Sequence, residues 1–241
     1  MQSEDTAPAA GGFPPLRISP VERPARIAHR GGNTHSALRT ALAGHVDWLE
    51  TDVWLERGRV VARHDPRLWW LPLSYHHRRV RLLPLRPLTL DLLLDTVAGT
   101  GTRLLIDLKG VDRGLPAALA AALCEPAARD AVAVCTQHWR PLDELHARDP
   151  AIPTVFSLGR PEHIPAYLAR LSGGSAPPAI SINHRLLTEE RTREFQCLGV
   201  QMIAWTVNDR ARAQELERWG VDGVTSDSAA VLEHLGCAPA V

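Results

Sequence analysis

The sequence lacks a charge excess of either sign, because 27 lysine and arginine residues balance 27 aspartate and glutamate residues. It also has no run of basic residues, so neither nucleic acid nor an anionic membrane surface is indicated as a partner. No apolar core of a signal peptide and no stretch of about 20 uninterrupted apolar residues is found. We therefore expect a cytoplasmic protein without a transmembrane segment, acting on a small molecule.

Cysteine and lysine are both scarce. The four cysteines are scattered without a Cys-x-x-Cys pair, which predicts reduced, mostly buried thiols rather than a disulfide or a thiolate metal site. Lys109 is the only lysine, and every other basic residue apart from the histidines is arginine. A compact ammonium in such a chain suggests contact with phosphate, the alternative being the chance survival of one surface lysine.

The domain organisation follows from the alternation of apolar patterns. Residues 1–24 are rich in Pro, Gly and Ala and are expected to form a flexible N-terminal arm. From Ala25 onward, strand-type runs alternate with helix-period segments, as in parallel strands with crossover helices. Eight such units in about 215 residues predict an α/β fold, a (β/α)8 TIM barrel, as a single domain over residues 25–236.

The predicted elements have the following bounds. The strands are Arg26–His29, Trp48–Trp54, Arg103–Lys109, Ala131–Thr136, Pro153–Ser157, Ala179–Asn183, Gln201–Val207 and Gly223–Ser226. The helices include Thr34–Ala43, Pro116–Ala128, Pro141–Ala147, Pro161–Leu171, Thr188–Leu198, Asp209–Trp219 and Ser228–Leu235. Predicted N-caps are Thr34, Thr89, Thr188, Asp209 and Ser228.

One segment interrupts the alternation. After the second strand, Arg59–His64 is predicted to pair with Trp54–Glu56 as a hairpin around Arg57 and Gly58. Residues 66–87 then form a small proline- and arginine-rich insertion. An insertion after a barrel strand lies over the C-terminal face, where barrel active sites occur, so we expect a substrate cover there. Its aromatic residues are Trp69, Trp70 and Tyr75.

Three carboxylates are predicted to meet at the C-terminal ends of the second and third strands. Glu50 and Asp52 stand at i and i+2 of one strand and share a face, and Asp107 is near the end of the next. Three oxygen ligands with open positions suit Mg²⁺ or Ca²⁺, with Mn²⁺ as a further candidate. The alternative, surface residues of an edge strand, does not fit a closed barrel, which has no exposed edge.

Two histidines flank the carboxylates. His29 ends the first strand and His64 closes the hairpin, so one could take a proton from an attacking hydroxyl while the other donates to a departing alkoxide. Each could instead be a hydrogen-bonded structural histidine. A cation with a proton acceptor and a proton donor is what cleavage of a phosphodiester requires.

Further residues could contact the substrate. Arg30 can make a forked contact with phosphate oxygens. Trp205 either stacks on the substrate or fills the upper layer of the barrel, and Asp227 either serves the site or caps the helix at Ser228.

These segments carry a family likeness. His29-Arg-Gly, Asn33-Thr, Leu49-Glu-Thr-Asp-Val and His64-Asp resemble the motifs of the glycerophosphodiester phosphodiesterases, members of the phospholipase C-like phosphodiesterase barrels. Leu105-Ile-Asp-Leu-Lys looks like the third-strand motif of that family. Trp205-Thr-Val-Asn and the segment from Gly220 to Asp227 are similar to its closing strands. The likeness extends over roughly residues 25–235.

The resemblance implies a hydrolase that releases an alcohol and sn-glycerol 3-phosphate from a glycerophosphodiester. A lysophospholipid is the other candidate substrate. The resemblance also implies proton transfer by His29 and His64, a divalent cation on Glu50, Asp52 and Asp107, and phosphate binding by Arg30 and Lys109. Alternatives on the same fold are a lysophospholipase D-like or cyclising phospholipase and a non-catalytic ligand-binding relative. The chain departs from the family pattern in three places: Gly32 replaces a glutamate, Asp107 replaces a glutamate, and no Arg-Thr-Thr follows His64-Asp65.

Overall fold

A computed structural model describes residues 12–19, 23–67, 71, 73–76, 79–82, 87–110 and 112–236. Within these ranges, eight parallel strands form a closed barrel with helices between them, which confirms the predicted (β/α)8 fold. The strands are β1 (Ala25–Ala28), β2 (Trp48–Glu56), β3 (Arg59–Ala62), β4 (Leu73–His76), β5 (Arg79–Leu82), β6 (Leu88–Thr89), β7 (Arg103–Leu108), β8 (Val132–Thr136), β9 (Thr154–Leu158), β10 (Ala179–Asn183), β11 (Gln201–Trp205) and β12 (Gly223–Ser226).

The helices lie in the connections. They are α1 (His35–Ala43), α2 (Leu90–Val97), α3 (Leu115–Ala122), α4 (Pro126–Asp130), α5 (Arg140–Arg148), α6 (His163–Ser172), α7 (Glu189–Cys197), α8 (Arg210–Trp219) and α9 (Ala229–Gly236), with a short 3-10 helix at His184–Leu186. None of the helices in the described ranges is long and apolar enough to cross a membrane.

The barrel closes between its first and last strands. Neighbouring strands follow the order β1, β12, β11, β10, β9, β8, β7, β2, and β2 pairs back with β1. The predicted hairpin is confirmed: β3 pairs antiparallel with β2, with Val53 opposite Ala62 and Glu56 opposite Arg59. In the insertion, β4 and β5 form a separate antiparallel pair. Trp69, Trp70 and the side chain of Tyr75 lie outside the described residues, so the substrate cover stays a prediction.

Side chains alternate between two apolar layers along each parallel strand. One layer, between strands and helices, includes Leu104, Ile106 and Leu108 of β7. The other, inside the barrel, includes Leu105 of the same strand. This period of two is the rule for a strand, and it means that every second residue points at the barrel axis.

The base of the barrel interior is filled from outside the predicted domain. Ile18 is buried there against the inner layer, and its carbonyl accepts a 3.0 Å hydrogen bond from the Trp48 indole. The Ile18 amide donates to the Gln201 side chain. Residues 12–19 therefore pack on the barrel instead of forming a loose arm, because Ile18 fills space that the strand side chains leave open. The boundary at Ala25 stays a prediction.

Local signals mark the helix ends correctly in most cases. Each of the predicted caps Thr34, Thr89, Thr188 and Asp209 accepts a hydrogen bond from a backbone amide in the first turn of its helix. The hydroxyl of Ser228 accepts from the Val231 amide. The single helix predicted over residues 116–128 is wrong: the structure has α3 and α4. Pro126 begins the second helix because proline has no amide hydrogen to donate inside a helix.

The thiol prediction is only partly correct. Cys124, Cys135 and Cys197 are free, but Cys124 and Cys197 are exposed and only Cys135 is buried among these three. Cys237 lies outside the described residues.

Candidate active site

A cavity of about 240 Å³ opens at the C-terminal ends of the barrel strands. The structure brings all eight sequence-predicted site residues into its wall, although their chemical roles stay predictions. They are His29, Arg30, Glu50, Asp52, His64, Asp107, Lys109 and Trp205. The other lining residues are Leu105, Cys135, Gln137, Ser157, Ser181, Thr206 and Thr225.

Three carboxylates share one part of the cavity. Glu50, Asp52 and Asp107 each offer an oxygen atom, and these atoms lie within 4.8 Å of one another. Strand register explains the proximity, because Asp52 of β2 stands directly beside Asp107 of β7. Glu50 and Asp52 are only 6% and 2% exposed.

Burial and mutual repulsion disfavour full ionisation of this cluster. Burial, then the charges of Asp52 and Asp107, raise the pKa of Glu50 well above its usual value. Burial is also the main cause that raises the pKa of Asp107 to about 6. Buried carboxylates in such proximity are stabilised by a bound cation, and oxygen ligands suit Mg²⁺ or Ca²⁺. The donor set therefore fits a divalent cation.

Lys109 partly compensates the negative charge. Its ammonium nitrogen lies 2.8 Å from an Asp52 carboxylate oxygen and also forms an ion pair with Asp107. Burial alone would lower the pKa of Lys109, but Asp107 and Asp52 outweigh burial and raise it. The predicted phosphate-binding lysine is thus held by two of the three carboxylates, and one ammonium leaves negative charge for a further cation.

His29 is oriented by a carboxylate from the other end of the chain. Its Nδ1 atom lies 2.6 Å from Asp227 Oδ1, while its Nε2 atom lies 4.0 Å from Glu50 Oε2. Burial lowers the pKa of His29, although Asp227 opposes that shift. The neutral ring is therefore favoured near pH 7, with Nε2 on the side of the carboxylate cluster.

Asp227 is itself held in place. Asn208 Nδ2 donates to Asp227 Oδ2 at 2.9 Å, and the Asp227 amide donates to Asn208 Oδ1. Burial alone would raise the pKa of Asp227, but the hydrogen bonds from Asn208 and His29 outweigh it and the pKa is lowered. Asp227 thus belongs to the site rather than acting only as a helix cap. Asp227 directly follows the last strand. A carboxylate at that position is the sequence feature that indicates a site residue.

His64 is also paired with an aspartate, but here the two residues are neighbours in one turn. Its Nδ1 atom lies 2.8 Å from Oδ1 of the adjacent Asp65, and its ring lines the cavity. The hairpin of β2 and β3 positions this turn beside the carboxylates. Both histidines therefore contact an aspartate through Nδ1, as expected of imidazoles held in a fixed orientation for proton transfer.

Arg30 contacts two of the carboxylates, and its side chain also carries a hydrogen-bond donor without a partner in the described part of the chain. Its backbone amide donates to Glu50 Oε2 at 2.7 Å, and its φ of 55° is in the left-handed region. The side-chain Nε atom is buried and has no hydrogen-bond partner among the described residues, although it lies 3.9 Å from Asp52 Oδ2. A buried donor without a partner is costly, which favours an anionic ligand at this position.

Asn33 supports the carboxylates from behind, a role that sequence reasoning missed. Its side-chain amide donates to the Asp52 carboxylate, and its Oδ1 atom accepts from the Asp52 amide at 2.8 Å. The neighbouring Gly32 lies against Thr51: a Cβ atom at residue 32 would be 2.7 Å from Thr51 Cβ. The local packing therefore leaves no room for the glutamate that the resembled family has there.

The barrel fold and the match to a family model together define a barrel enzyme of the phosphoric diester hydrolase class. The model of the glycerophosphoryl diester phosphodiesterase family matches residues 111–231, which is half of the chain. The chain belongs to that family. Among curated proteins, no sequence matches this chain.

Several solved structures have the same barrel fold as this chain. A phosphodiesterase from Oleispira antarctica, solved in complex with the product sn-glycerol-3-phosphate, is 23% identical with a TM-score of 0.74, covering 89% of this chain and 98% of its own. A glycerophosphodiester phosphodiesterase from Parabacteroides distasonis has 18% identity, a TM-score of 0.72 and coverages of 88% and 96%. One from Thermotoga maritima has 22% identity, a TM-score of 0.67 and coverages of 88% and 98%.

Proposed function

We propose that this protein is a metal-dependent hydrolase that cleaves glycerophosphodiesters to an alcohol and sn-glycerol 3-phosphate by general acid/base catalysis with two histidines. One observation carries the proposal: three clustered carboxylates share a cavity with two aspartate-paired histidines. Family membership supports the substrate class.

In this proposal, Glu50, Asp52 and Asp107 hold a divalent cation, Mg²⁺ or Ca²⁺ with Mn²⁺ as a third candidate. When bound, such a cation would neutralise phosphoryl oxygens and favour attack at phosphorus. The raised pKa values of Glu50 and Asp107 support this assignment, because the cluster is short of positive charge.

In the proposed reaction, the other side chains of the cavity bind the substrate and transfer protons. The unpartnered Nε of Arg30 and the ammonium of Lys109 bind phosphate oxygens, and Trp205 packs against the substrate. His29 removes the proton from the attacking hydroxyl through Nε2, and Asp227 stabilises the resulting imidazolium. His64 donates a proton to the leaving alkoxide, with Asp65 fixing its ring. Each of these proton transfers is worth about 10² to 10⁴-fold in rate.

The test is hydrolysis of a panel of glycerophosphodiesters and lysolipids with Mg²⁺, Ca²⁺, Mn²⁺ or EDTA. We expect cation-dependent release of glycerol phosphate and loss of activity with EDTA. His29→Ala and His64→Ala should each lower kcat by about 10² to 10⁴-fold, while His35→Ala, an exposed residue of α1, serves as the matched control.

The same assay separates the competing functions. A cyclic phosphate product in phosphorus NMR would favour the cyclising phospholipase, and absence of turnover with every substrate and cation would favour a non-catalytic relative. Normal activity in either histidine variant would contradict the proposed mechanism.

A further inference from the structure

A second cavity lies outside the barrel, where the first and last strands pair. Its volume is about 370 Å³, and it is lined by residues of helix α1, which follows β1, and of helix α9, which follows β12. Both helices begin at the mouth of the barrel, because each follows the C-terminal end of its strand. This cavity, termed the seam groove, is lined on its two sides by Ala37, Ala41 and Gly44 and by Ala229 and Leu232.

Small side chains leave the seam groove open. Ala37 and Ala41 are four positions apart on α1 and therefore share a helix face, while Leu232 lines the opposite side. Ala28, Ala41 and Leu232 are each 8% exposed, although they belong to the apolar layer between strands and helices. Part of that apolar layer is thus accessible from solvent, and covering it would be favourable.

The groove extends down the barrel from the mouth. Ser36, in the first turn of α1, and Gly44, which caps the end of that helix, both line it. The helix between these two residues is about 12 Å long. An apolar space that extends in one direction suits an unbranched alkyl chain.

The seam groove and the active-site cavity adjoin each other. His29 lines both, and its partner Asp227 lines the groove. A substituent on a phosphodiester in the active-site cavity therefore reaches the groove by passing His29. Apart from His29, the charged groups among the described lining residues are the carboxylates of Asp227 and Glu233. Two carboxylates disfavour an anionic occupant such as a free fatty acid and favour a neutral chain attached to the substrate.

We propose that the seam groove binds the acyl chain of a lysophospholipid whose phosphodiester occupies the active-site cavity. This inference rests on the proposed phosphodiesterase function and selects the acylated one of its two candidate substrate classes. In the hydrolysis, water attacks phosphorus and the bond from phosphorus to the headgroup oxygen breaks. The acyl chain therefore stays on the glycerol phosphate product, and the headgroup leaves as the free alcohol.

The length of the acyl chain provides the first test. The experiment compares kcat/KM for glycerophosphocholine with the values for butanoyl, hexanoyl, octanoyl and decanoyl lysophosphatidylcholine, each below the concentration at which it forms micelles. Burial of one methylene corresponds to about a 2- to 4-fold gain. We expect kcat/KM to rise by that factor per methylene and to level off once the chain is as long as the groove.

Helix α1 offers a matched pair of variants. Ala37→Leu adds a larger side chain inside the groove, whereas Ala43→Leu adds the same side chain at an exposed position of α1 that does not line it. Leucine favours the helical state, so α1 should persist in both. Ala37→Leu should lower the ratio of kcat/KM for octanoyl lysophosphatidylcholine to that for glycerophosphocholine by about 10-fold, the equivalent of roughly two buried methylenes. Ala43→Leu should keep the wild-type ratio.

A binding measurement separates this inference from the proposed function. In His64→Ala with Ca²⁺, where turnover is slowed, saturation-transfer NMR should show contact between the protein and the acyl protons of octanoyl lysophosphatidylcholine. Adding Ala37→Leu should remove that contact. A wild type that cleaves glycerophosphocholine without any gain from longer chains overturns the acyl site, as does equal contact with and without Ala37→Leu. Loss of contact in Ala37→Leu, in a protein whose wild type cleaves no phosphodiester, would support the groove and reject the proposed function.

Discussion

The mouth of the barrel consists of two arcs with different chemistry. The first arc comprises β1, β2, β7 and the turn after β3, and the second comprises β8 to β12 with their following residues. The cavity residues of the first arc are His29, Arg30, Glu50, Asp52, His64, Leu105, Asp107 and Lys109. Those of the second are Cys135, Gln137, Ser157, Ser181, Trp205, Thr206 and Thr225. Among the described residues, all the acidic, basic and histidine side chains that line the cavity therefore lie in the first arc.

The match to the family model falls on the opposite side of this division. It spans residues 111–231, which include every strand of the second arc and none of the first. Family membership is thus established by the neutral arc, whereas the proposed proton and cation chemistry depends on the geometry of the charged arc. Barrel closure connects the two, because Ala28 pairs with Ser226 and brings Asp227 beside His29.

Asp227→Ala removes this contact between the arcs and should have the largest effect after the two histidine variants. Without Asp227, His29 loses the contact that orients its ring and stabilises its charged form. We expect kcat to fall by about 10- to 100-fold, part of the usual contribution of a general base. Because Asp227 raises the pKa of His29, its removal should lower that pKa and move the acidic limb of the kcat/KM profile to lower pH.

The control is Asp95→Ala, which removes an exposed carboxylate from α2. Circular dichroism should show that both variants are folded. An Asp227→Ala enzyme with wild-type kcat and an unmoved pH profile would mean that the two arcs function independently.

The sequence predicts the position of each charged side chain far better than its partners. Glu50, Asp52 and Asp107 could be placed at one mouth because strand alternation and parallel order decide the direction of a side chain. The contact between His29 and Asp227 joins residues 198 positions apart, so it exists only after closure of the barrel. No local pattern encodes such a pair.

The same limit applies to Lys109 and Thr225. Pairing of Lys109 with two carboxylates depends on the register of β2 against β7, which sequence periodicity does not specify. The buried, unpartnered hydroxyl of Thr225 is visible only when every neighbour is in place. By contrast, helix caps are local, and the predicted threonine and aspartate caps are found in the structure.

A smaller effect is expected on stability, and it tests the charge balance of the first arc. In the metal-free protein, the pKa of Asp107 is about 6 against an ordinary value of 3.8, so the folded state retains a proton that the unfolded state releases in this window. The free energy of unfolding therefore decreases as pH rises from about 4 to 6 and stays lower above it. Asp107→Asn removes this titration and should become more stable relative to wild type by about 1 to 2 kcal/mol over the same range.

Urea unfolding in EDTA at pH 4.5, 5.5 and 7.5 measures this difference. Addition of Mg²⁺ or Ca²⁺ at pH 7.5 should reverse it, because a cation that binds the folded state stabilises the wild type. A stability difference that is independent of pH would show that Asp107 ionises normally in the folded protein.

The smallest expected effect concerns the backbone that supports the first arc. Gly32→Ala would place a Cβ atom 2.7 Å from Thr51 Cβ, and the hydroxyl of the buried Thr51 donates to Asn33, which holds Asp52. We expect the free energy of unfolding to fall by about 1 kcal/mol through overpacking. Gly44→Ala is the matched control, since its Cβ would have an ordinary 3.4 Å contact. If both variants unfold at the same urea concentration, Thr51 can move aside, and steric exclusion does not explain the glycine that replaces the family's glutamate.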